Sequence, residues 1–566
     1  MGAGIAGLTA AYRLNQLGYS ASVYEGSERY GGRILSAQFP NGQIYEKGAE
    51  LISETDTALI ALVNDLGLML YQEFPAVYPP NLTPATEVVE YQDPELSPQS
   101  PTTNRQLNRQ SSYSSTELFN DWFVRINPNT GFTINQQMHN DAAASYPSGN
   151  PGVTTPWPIV YPNPTFTAQL DSMTLDEYVD SLCSFLRIDG DGSKSKLAQY
   201  FKARMVAANG ADSLHQSPLL TFIWELTMGA MGASYHVTGG NSQINNVIVN
   251  YLANSAVATP IYLNYRLRKI TQRTDLPPID IYGNFPYELT FETPTGTVTP
   301  APFDHIILTN PFITYRQLSN PDYNGFWVDI SEAGFSDLKN YAIQNLPMGI
   351  CSKTNIQFKN RFWLNAGNNG FNIATTNPSV SGTPEKLYQL TWEASSGQPG
   401  ATGILIAYRG GSYALPIINS DSIINVAQRN NYLINVVQNY LYQLNFNLPG
   451  SLSSKNFAFQ FLGYNNAIVN VNTANRYYIP WTRGAYPYTS PNQIAGGTGV
   501  LVDGVVVPAG AVVSFWGFCG VPEPYTVNQT GNCHFAGDGT TYNQIGFMNA
   551  AVISAGRVVT EILNDI

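Results

Sequence analysis

Three glycines at the start of the chain carry the first chemical signal. Gly2-Ala3-Gly4-Ile5-Ala6-Gly7 has the GxGxxG spacing, in which one glycine turns tightly, one lets the backbone approach a pyrophosphate and one lets a helix pack closely on a strand. The phosphate then rests on the helix N-terminus, where unpaired amides and the helix dipole favour negative charge. The residues that follow, LTAAYRLNQLG, have the apolar spacing of such a helix, with its end at Gly18. Ser20 to Tyr24 predict a short strand closed by Glu25, 18 residues beyond Gly7, close to the spacing at which a carboxylate accepts both ribose hydroxyls. Turn, helix, strand and acid together predict a dinucleotide site that uses Gly2, Gly4, Ile5, Ala6, Gly7 and Glu25. The fingerprint also expects a buried strand before its first glycine. Only Met1 stands there, so the first strand is expected to be missing from this sequence and to be encoded upstream.

Directly after Glu25 come Gly26-Ser27-Glu28-Arg29-Tyr30-Gly31-Gly32-Arg33-Ile34, and then Glu46-Lys47-Gly48-Ala49-Glu50-Leu51. At these residues the chain resembles the flavin-dependent amine oxidases, the family of monoamine, polyamine and L-amino acid oxidases, and in particular its bacterial flavin monoamine oxidases. The resemblance implies that Gly32 and Arg33 lie near the pyrophosphate, and that the turn Gly48, Ala49, Glu50 and Leu51 passes under the flavin. Gly239-Gly240-Asn241-Ser242-Gln243 is similar to the family's GGN-x-Q segment, and Ala207 to Trp224 to the helical stretch before it. Leu267, on a strand predicted from Ile261 to Ile270, takes the place of the family's adenine contact. Asp304 to Pro311 resembles the strand that leads the chain out of the cofactor domain.

The same resemblance assigns the catalytic groups. Lys353 stands ten residues before Trp363 on an apolar strand, as does the family lysine that approaches flavin N5 through a water. Trp481-Thr482-Arg483-Gly484-Ala485-Tyr486 matches the stretch in which monoamine oxidases carry a cysteine joined to the flavin. Ala485 has no sulfur, so the FAD is expected to be noncovalent. His534-Phe535-Ala536-Gly537-Asp538-Gly539 and Gly546-Phe547-Met548 complete the pattern, ahead of a helix predicted from Val552 to Leu563. Two residues depart from it: Asp538 replaces the usual Glu, and Phe547 the usual Tyr. Lys353, Tyr486 and Phe547 are thereby implied in catalysis, and Trp481, Gly537, Asp538, Phe547 and Met548 as further cofactor contacts. The implied reaction is oxidative deamination of a primary or secondary amine, with hydride transfer to flavin N5. Dioxygen would reoxidise the flavin to give hydrogen peroxide, and the imine would hydrolyse to aldehyde and ammonia. Two alternatives stay open. An L-amino acid oxidase would need a cation for the substrate carboxylate, and Leu51 stands where such enzymes carry an arginine, leaving Arg361 or Arg483 as substitutes. A flavin-binding protein without turnover is the other.

These residues need a large scaffold, and the chain supplies one. At 566 residues and 62.0 kDa it exceeds what one core usually organises, and 43% hydrophobic residues argue for a globular fold. The expected class is α/β, with a Rossmann-like FAD-binding domain, discontinuous in sequence, and an α+β substrate-binding domain. Residues 1–74, 231–312 and 532–566 are assigned to the FAD domain and 313–490 to the substrate domain. Residues 75–230 form a helical region with a Pro-, Asn- and Ser-rich insertion at 75–164, and 491–531 a second insertion. Val500 to Phe518 is the most apolar stretch, but Asp503-Gly504 breaks it and predicts a hairpin in place of the roughly 20 apolar residues of a membrane span. With 28 Lys and Arg against 40 Asp and Glu, nucleic acid is excluded as a partner. Four scattered cysteines offer neither a disulfide framework nor CxxC metal spacing, and no metal ligand set is read. The expected partners are therefore a small-molecule amine and dioxygen, with a homodimer compatible. With no membrane span read, a soluble protein is expected, and low charge content with abundant Asn, Ser, Gln and Tyr points to export to the periplasm or the medium if a signal lies upstream of Met1.

Overall fold

The computed structural model describes residues 1–72, 171–177, 234–281, 283–317, 327–358, 360–361, 390–411, 519–524, 531–541 and 544–566. It also describes the backbone of the strands Thr86–Glu90, Asn104–Gln106, Asn368–Ala374, Leu501–Val502 and Val505–Val506. The N-terminal unit has the expected order. A helix spans Ile5–Gln16 and buries Leu8, Ala11 and Leu14 against the C-terminal helix Met548–Asp565 and the helix Ser242–Asn254. It ends at Gly18, which takes a positive φ of 88° that costs a residue without Cβ little, and the N–H groups of Gly18 and Tyr19 donate to the carbonyls of Asn15 and Leu14.

Short parallel strands make the floor of this unit. Val23–Tyr24 pairs with Ile261–Tyr262, and Ile306–Leu308 pairs with Cys533–Phe535. Met1 to Ala3 runs between the two pairs: the Gly2 N–H donates to the Tyr24 carbonyl at 2.7 Å, and the Thr309 N–H to the Met1 carbonyl at 3.0 Å. The loops at the C-terminal ends of these segments therefore open on one side of the sheet. They are Gly2–Gly7, Glu25, Thr309–Phe312 and Gly537–Thr540, and this end of an open parallel sheet is where ligands bind.

Two expected boundaries shift. Residues 261–270 do not form one strand: Asn264 adopts a φ of 61° and splits them into Ile261–Tyr262 and Arg266–Gln272. The break turns the chain across the end of Val23–Tyr24, where the Asn264 and Tyr265 N–H groups donate to the carbonyls of Ser27 and Glu25. The last helix begins at Met548 and not at Val552, because the Asn549 side chain already accepts the Leu59 N–H at 2.8 Å and seats that first turn on the helix Thr57–Asp65.

Beyond this unit, Arg266–Gln272 belongs to a four-stranded sheet with Gly296–Val298, Tyr287–Thr293 and Asp329–Glu332. A six-stranded sheet runs in the order Cys351–Phe358, Gly403–Gly410, Leu390–Glu393, Asn368–Ala374, Thr86–Glu90, Asn104–Gln106. Its last two strands come from the polar insertion, which thus supplies one edge of the sheet. The hairpin formed by Ser36–Gln38 and Ile44–Glu46 is fastened to the same sheet by a cluster of Phe39, Tyr45, Ala394, Ile404 and Ile406. That junction brings the N-terminal turn beside Lys353. The hairpin expected around Asp503-Gly504 is present as the antiparallel pair Leu501–Val502 and Val505–Val506. Cys351, Cys519 and Cys533 are free and buried, and no described helix is long and apolar enough to cross a membrane. The mixture of helices and sheets is α/β, as expected. Trp363, Trp481, Arg483, Ala485, Tyr486 and the stretch 207–224 lie outside the described residues.

Candidate active site

At the cofactor end, the two later glycines of the fingerprint do different work. A Cβ on Gly7 would lie 2.0 Å from the Gly2 carbonyl oxygen, so this glycine is required for the loop to fold against its helix. Among the described residues, a Cβ on Gly4 would meet nothing nearer than the Gly32 Cα at 3.8 Å, which leaves room in front of Gly4. Gly4 caps the helix without a side-chain hydrogen bond, and no acid occupies the first turn. The amides there face the open space with their positive end outward, which suits a pyrophosphate. Ile5 and Ala6 are the first helical residues and are buried.

Glu25 stands over the same loop, with Oε2 accepting the Ala3 N–H at 2.8 Å and Oε1 accepting the Ser27 N–H and hydroxyl at 2.9 and 2.8 Å. Leu267 is nearly buried and pairs in register with Phe291, one residue from Arg266, whose Cα would touch a Cβ on Gly26 at 3.5 Å. The expected adenine contact thus lies beside the expected ribose acid. Arg33 and Asp538 form a bidentate pair, Nη1 to Oδ2 at 2.6 Å and Nη2 to Oδ1 at 2.5 Å. The shorter acid at 538 therefore still engages the arginine with both oxygens. Its neighbour Gly537 donates its N–H to the Ser554 hydroxyl at 2.9 Å, and the two residues line a cleft with Thr309, Pro311, Phe312 and Thr540.

The second cluster forms where the hairpin meets the six-stranded sheet. The turn Gly48 to Leu51 is held by the Ala49 N–H donating to the Arg33 carbonyl at 3.0 Å. The Asn241 amide nitrogen donates to the carbonyls of Ala49 and Glu50 at 3.3 and 2.6 Å. Lys353 projects from its strand into this turn, donating to the Gly48 carbonyl at 3.2 Å and forming an ion pair with the Glu50 carboxylate. The two side chains are only 6% and 4% exposed, so Lys353 is not a solvated surface lysine. Glu50 also accepts from the Trp392 indole N–H at 3.2 Å and has His236 Nε2 at 4.0 Å. The side chain of Glu50 thus serves the lysine, and its backbone the turn. Nearby, Glu46 accepts from the Ser36 hydroxyl and the Asn241 N–H, and burial raises its carboxyl above the usual range.

Sequence spacing missed His236, Trp392 and Asn241 as members of this cluster, although the GGN motif held a clue to the last. Leu51 and Phe547 are large apolar side chains 41% and 42% exposed, as residues facing an open site would be. Met548, behind Phe547, is buried in the core that also contains Ile5 and Leu8. Arg361, a candidate for holding a substrate carboxylate, is engaged elsewhere: its Nε lies 3.0 Å from Glu393 Oε1 and its Nη2 donates to the carbonyls of Ser395 and Gln398.

Comparison with known proteins places these features in a family. The model of flavin containing amine oxidoreductases matches residues 5–563. Putrescine oxidase from Kocuria rosea is 43% identical over 74 residues, 13% of this chain and 15% of that protein. Protoporphyrinogen oxidase 2 of Arabidopsis thaliana is 40% identical over 75 residues, again 13% and 15%. The flavin-containing amine oxidase of Oncorhynchus mykiss is 20% identical over a longer stretch of 378 residues, 65% of this chain and 58% of that one. The chain thus spans less than two thirds of each of these relatives. Among solved structures, wild-type putrescine oxidase bound to putrescine superposes with a TM-score of 0.60 at 15% identity, covering 100% of this chain and 98% of that one. Cyclohexylamine oxidase from Brevibacterium oxydans IH-35A gives 0.58 at 16% identity, covering 100% and 98%. Those superpositions show a shared fold, and by the family match over nearly the whole length the chain belongs to the flavin containing amine oxidoreductases.

Proposed function

We propose that this chain is an FAD-dependent oxidase of primary or secondary amines. The observation that carries the reading is Lys353, a buried ammonium held at the Gly48 carbonyl by Glu50. A charge so nearly removed from water is costly to maintain, and it sits on the turn that the family places under its flavin. FAD, when bound, supplies the acceptor for the hydride beside the amine nitrogen and is returned to its oxidised form by dioxygen, giving hydrogen peroxide.

The chain's own residues bind, orient and exclude. The uncapped amides after Gly4 and the Glu25 carboxylate are assigned to the pyrophosphate and ribose, with the Arg33–Asp538 pair beside them, and Leu267 to the adenine. Gly48, Ala49 and Leu51 offer backbone and an apolar edge to the ring system, and Trp481 is assigned a further contact outside the described residues. Lys353 keeps a proton and a positive charge at that turn. Phe547 and Tyr486, the latter also outside the described residues, are assigned as apolar walls that admit an uncharged amine and keep water away. Ala485 has no sulfur for a covalent link, so FAD is held noncovalently.

The amino-acid reading is not favoured, since Leu51 offers no cation and Arg361 is already occupied by Glu393. A panel of amines and amino acids read by peroxide release tests the proposal, with tyramine against tyrosine as the sharpest pair. Tyramine should have the higher kcat/KM, and acid precipitation should leave the yellow colour in the supernatant. A higher kcat/KM for tyrosine would replace the proposal with an amino acid oxidase, and a colourless protein with no turnover would replace it with a degenerate one.

A further inference from the structure

We propose that His305, His534 and Asp565 form a binding site for one zinc-class divalent cation at the far end of the C-terminal helix. His305 precedes the strand Ile306–Leu308, and His534 lies on its parallel partner Cys533–Phe535. Asp565 ends the helix Met548–Asp565. His305 Nδ1 and His534 Nε2 are 3.3 Å apart, and with a carboxylate oxygen of Asp565 the three candidate ligand atoms all lie within 4.8 Å of one another. Zinc bonds of about 2.0–2.1 Å in a tetrahedral site put neighbouring ligand atoms about 3.3–3.4 Å apart, so the two histidines already span one edge. Asp565 is half-buried at the end of the helix, and a water would complete the set.

The second observation lies behind His534. Its Nδ1 is 2.9 Å from Glu561 Oε2, and Glu561 is ion-paired with Arg557. An ionised carboxylate only accepts, so Nδ1 carries the proton and Nε2 turns its lone pair toward His305. This carboxylate–histidine order is the one that orients imidazoles on metals. Asp280, which accepts from Asn284 at 3.0 and 2.7 Å, adds negative charge facing His305 and Asp565. The helix is 18 residues long, about 27 Å at 1.5 Å per residue. Its first turn belongs to the candidate active site, so the cation would clamp the opposite end of the helix to the sheet and take no part in amine chemistry. The ordinary alternative is a His305 N–H donating to His534, with Asp565 uninvolved.

The test uses the full chain with FAD, stripped by EDTA, desalted and titrated with Zn2+ by calorimetry and with Co2+ by absorption at wavelengths beyond the flavin bands. One equivalent should bind, Co2+ should show the intense d–d bands of a tetrahedral centre, and Zn2+ should raise Tm. His305→Ala and Asp565→Asn should each remove stoichiometric binding while keeping the metal-free Tm. Glu561→Gln, which removes no ligand, should weaken affinity by about 10–100-fold. Failure of the wild type to take up one equivalent overturns the proposal, as does stoichiometric binding that survives either ligand substitution. Should His305→Ala not fold, Asp565→Asn, at the end of the last helix, decides.

Discussion

Replacing Lys353 by methionine keeps most of the side-chain volume and removes the charge, which leaves the Glu50 carboxylate 4% exposed without its cation. Among the described residues, the partners that stay are the Trp392 indole N–H at 3.2 Å and His236 at 4.0 Å, and the second is beyond hydrogen-bond reach. An exposed ion pair would lose only about 0–1 kcal/mol on such a change. Breaking a buried one costs about 3–5 kcal/mol, most of it the penalty of the stranded charge. Because that penalty belongs to the charge left behind, Lys353→Met combined with Glu50→Gln should be more stable than either single variant, within about 1–2 kcal/mol of the wild type. Urea unfolding of the four proteins at equal flavin occupancy measures this. Stopped-flow mixing of the reduced forms with oxygen then separates stability from chemistry: both proteins lacking the lysine should reoxidise slowly, including the stable double variant. A cost below 1 kcal/mol for Lys353→Met, or a double variant as unstable as the two singles summed, would refute the buried-pair argument. Wild-type reoxidation in the double variant would refute the assigned role of the ammonium.

Gly4→Ala and Gly7→Ala should separate folding from cofactor binding. Alanine at 7 drives a Cβ to 2.0 Å from the Gly2 carbonyl and should lower both Tm and FAD affinity, whereas alanine at 4 meets nothing among the described residues nearer than 3.8 Å and should keep the apoprotein Tm while weakening FAD at least tenfold by fluorescence titration. Equal Tm losses in the two variants would contradict this division. Asp56, which accepts the Ser53 N–H at the start of the helix Thr57–Asp65, is pushed by burial from 3.8 up to about 6. The folded state therefore holds this proton more tightly than the unfolded chain, a stabilisation complete below about pH 4 and lost as pH rises through about 6. At neutral pH the ionised group costs about 3 kcal/mol at 1.36 kcal/mol per unit. Asp56→Asn should then be more stable than the wild type at pH 7.5, with the advantage gone at pH 4, as read by urea unfolding at both pH values; an equal difference at both would count against it.

The local features of this chain were legible in its sequence, because they depend on residues a few positions apart. Glycine spacing and apolar periodicity identified the loop Gly2–Gly7, the helix ending at Gly18, the acid at 25 and the hairpin around 503–504. They misplaced the break at Asn264 and the first turn of the last helix. Each of those is decided by a partner distant in sequence, Ser27 and Glu25 in one case and Leu59 in the other. Resemblance to a family nominated Lys353, Arg33, Glu50 and Asp538 one by one, but not their pairing. Arg33 reaches Asp538 across 505 positions beside the core that Ile34 and Ala536 share, and Lys353 reaches the Gly48 turn across 305 because hydrophobic burial of the hairpin Ser36–Glu46 on the six-stranded sheet brings those segments together. No motif groups His305, His534 and Asp565 as ligands, although His534 opens the segment that ends in Gly537-Asp538-Gly539. Their nitrogen and oxygen atoms converge only because two short strands pair in parallel register and one helix ends beside them, a coincidence of tertiary packing that no local pattern of side chains encodes.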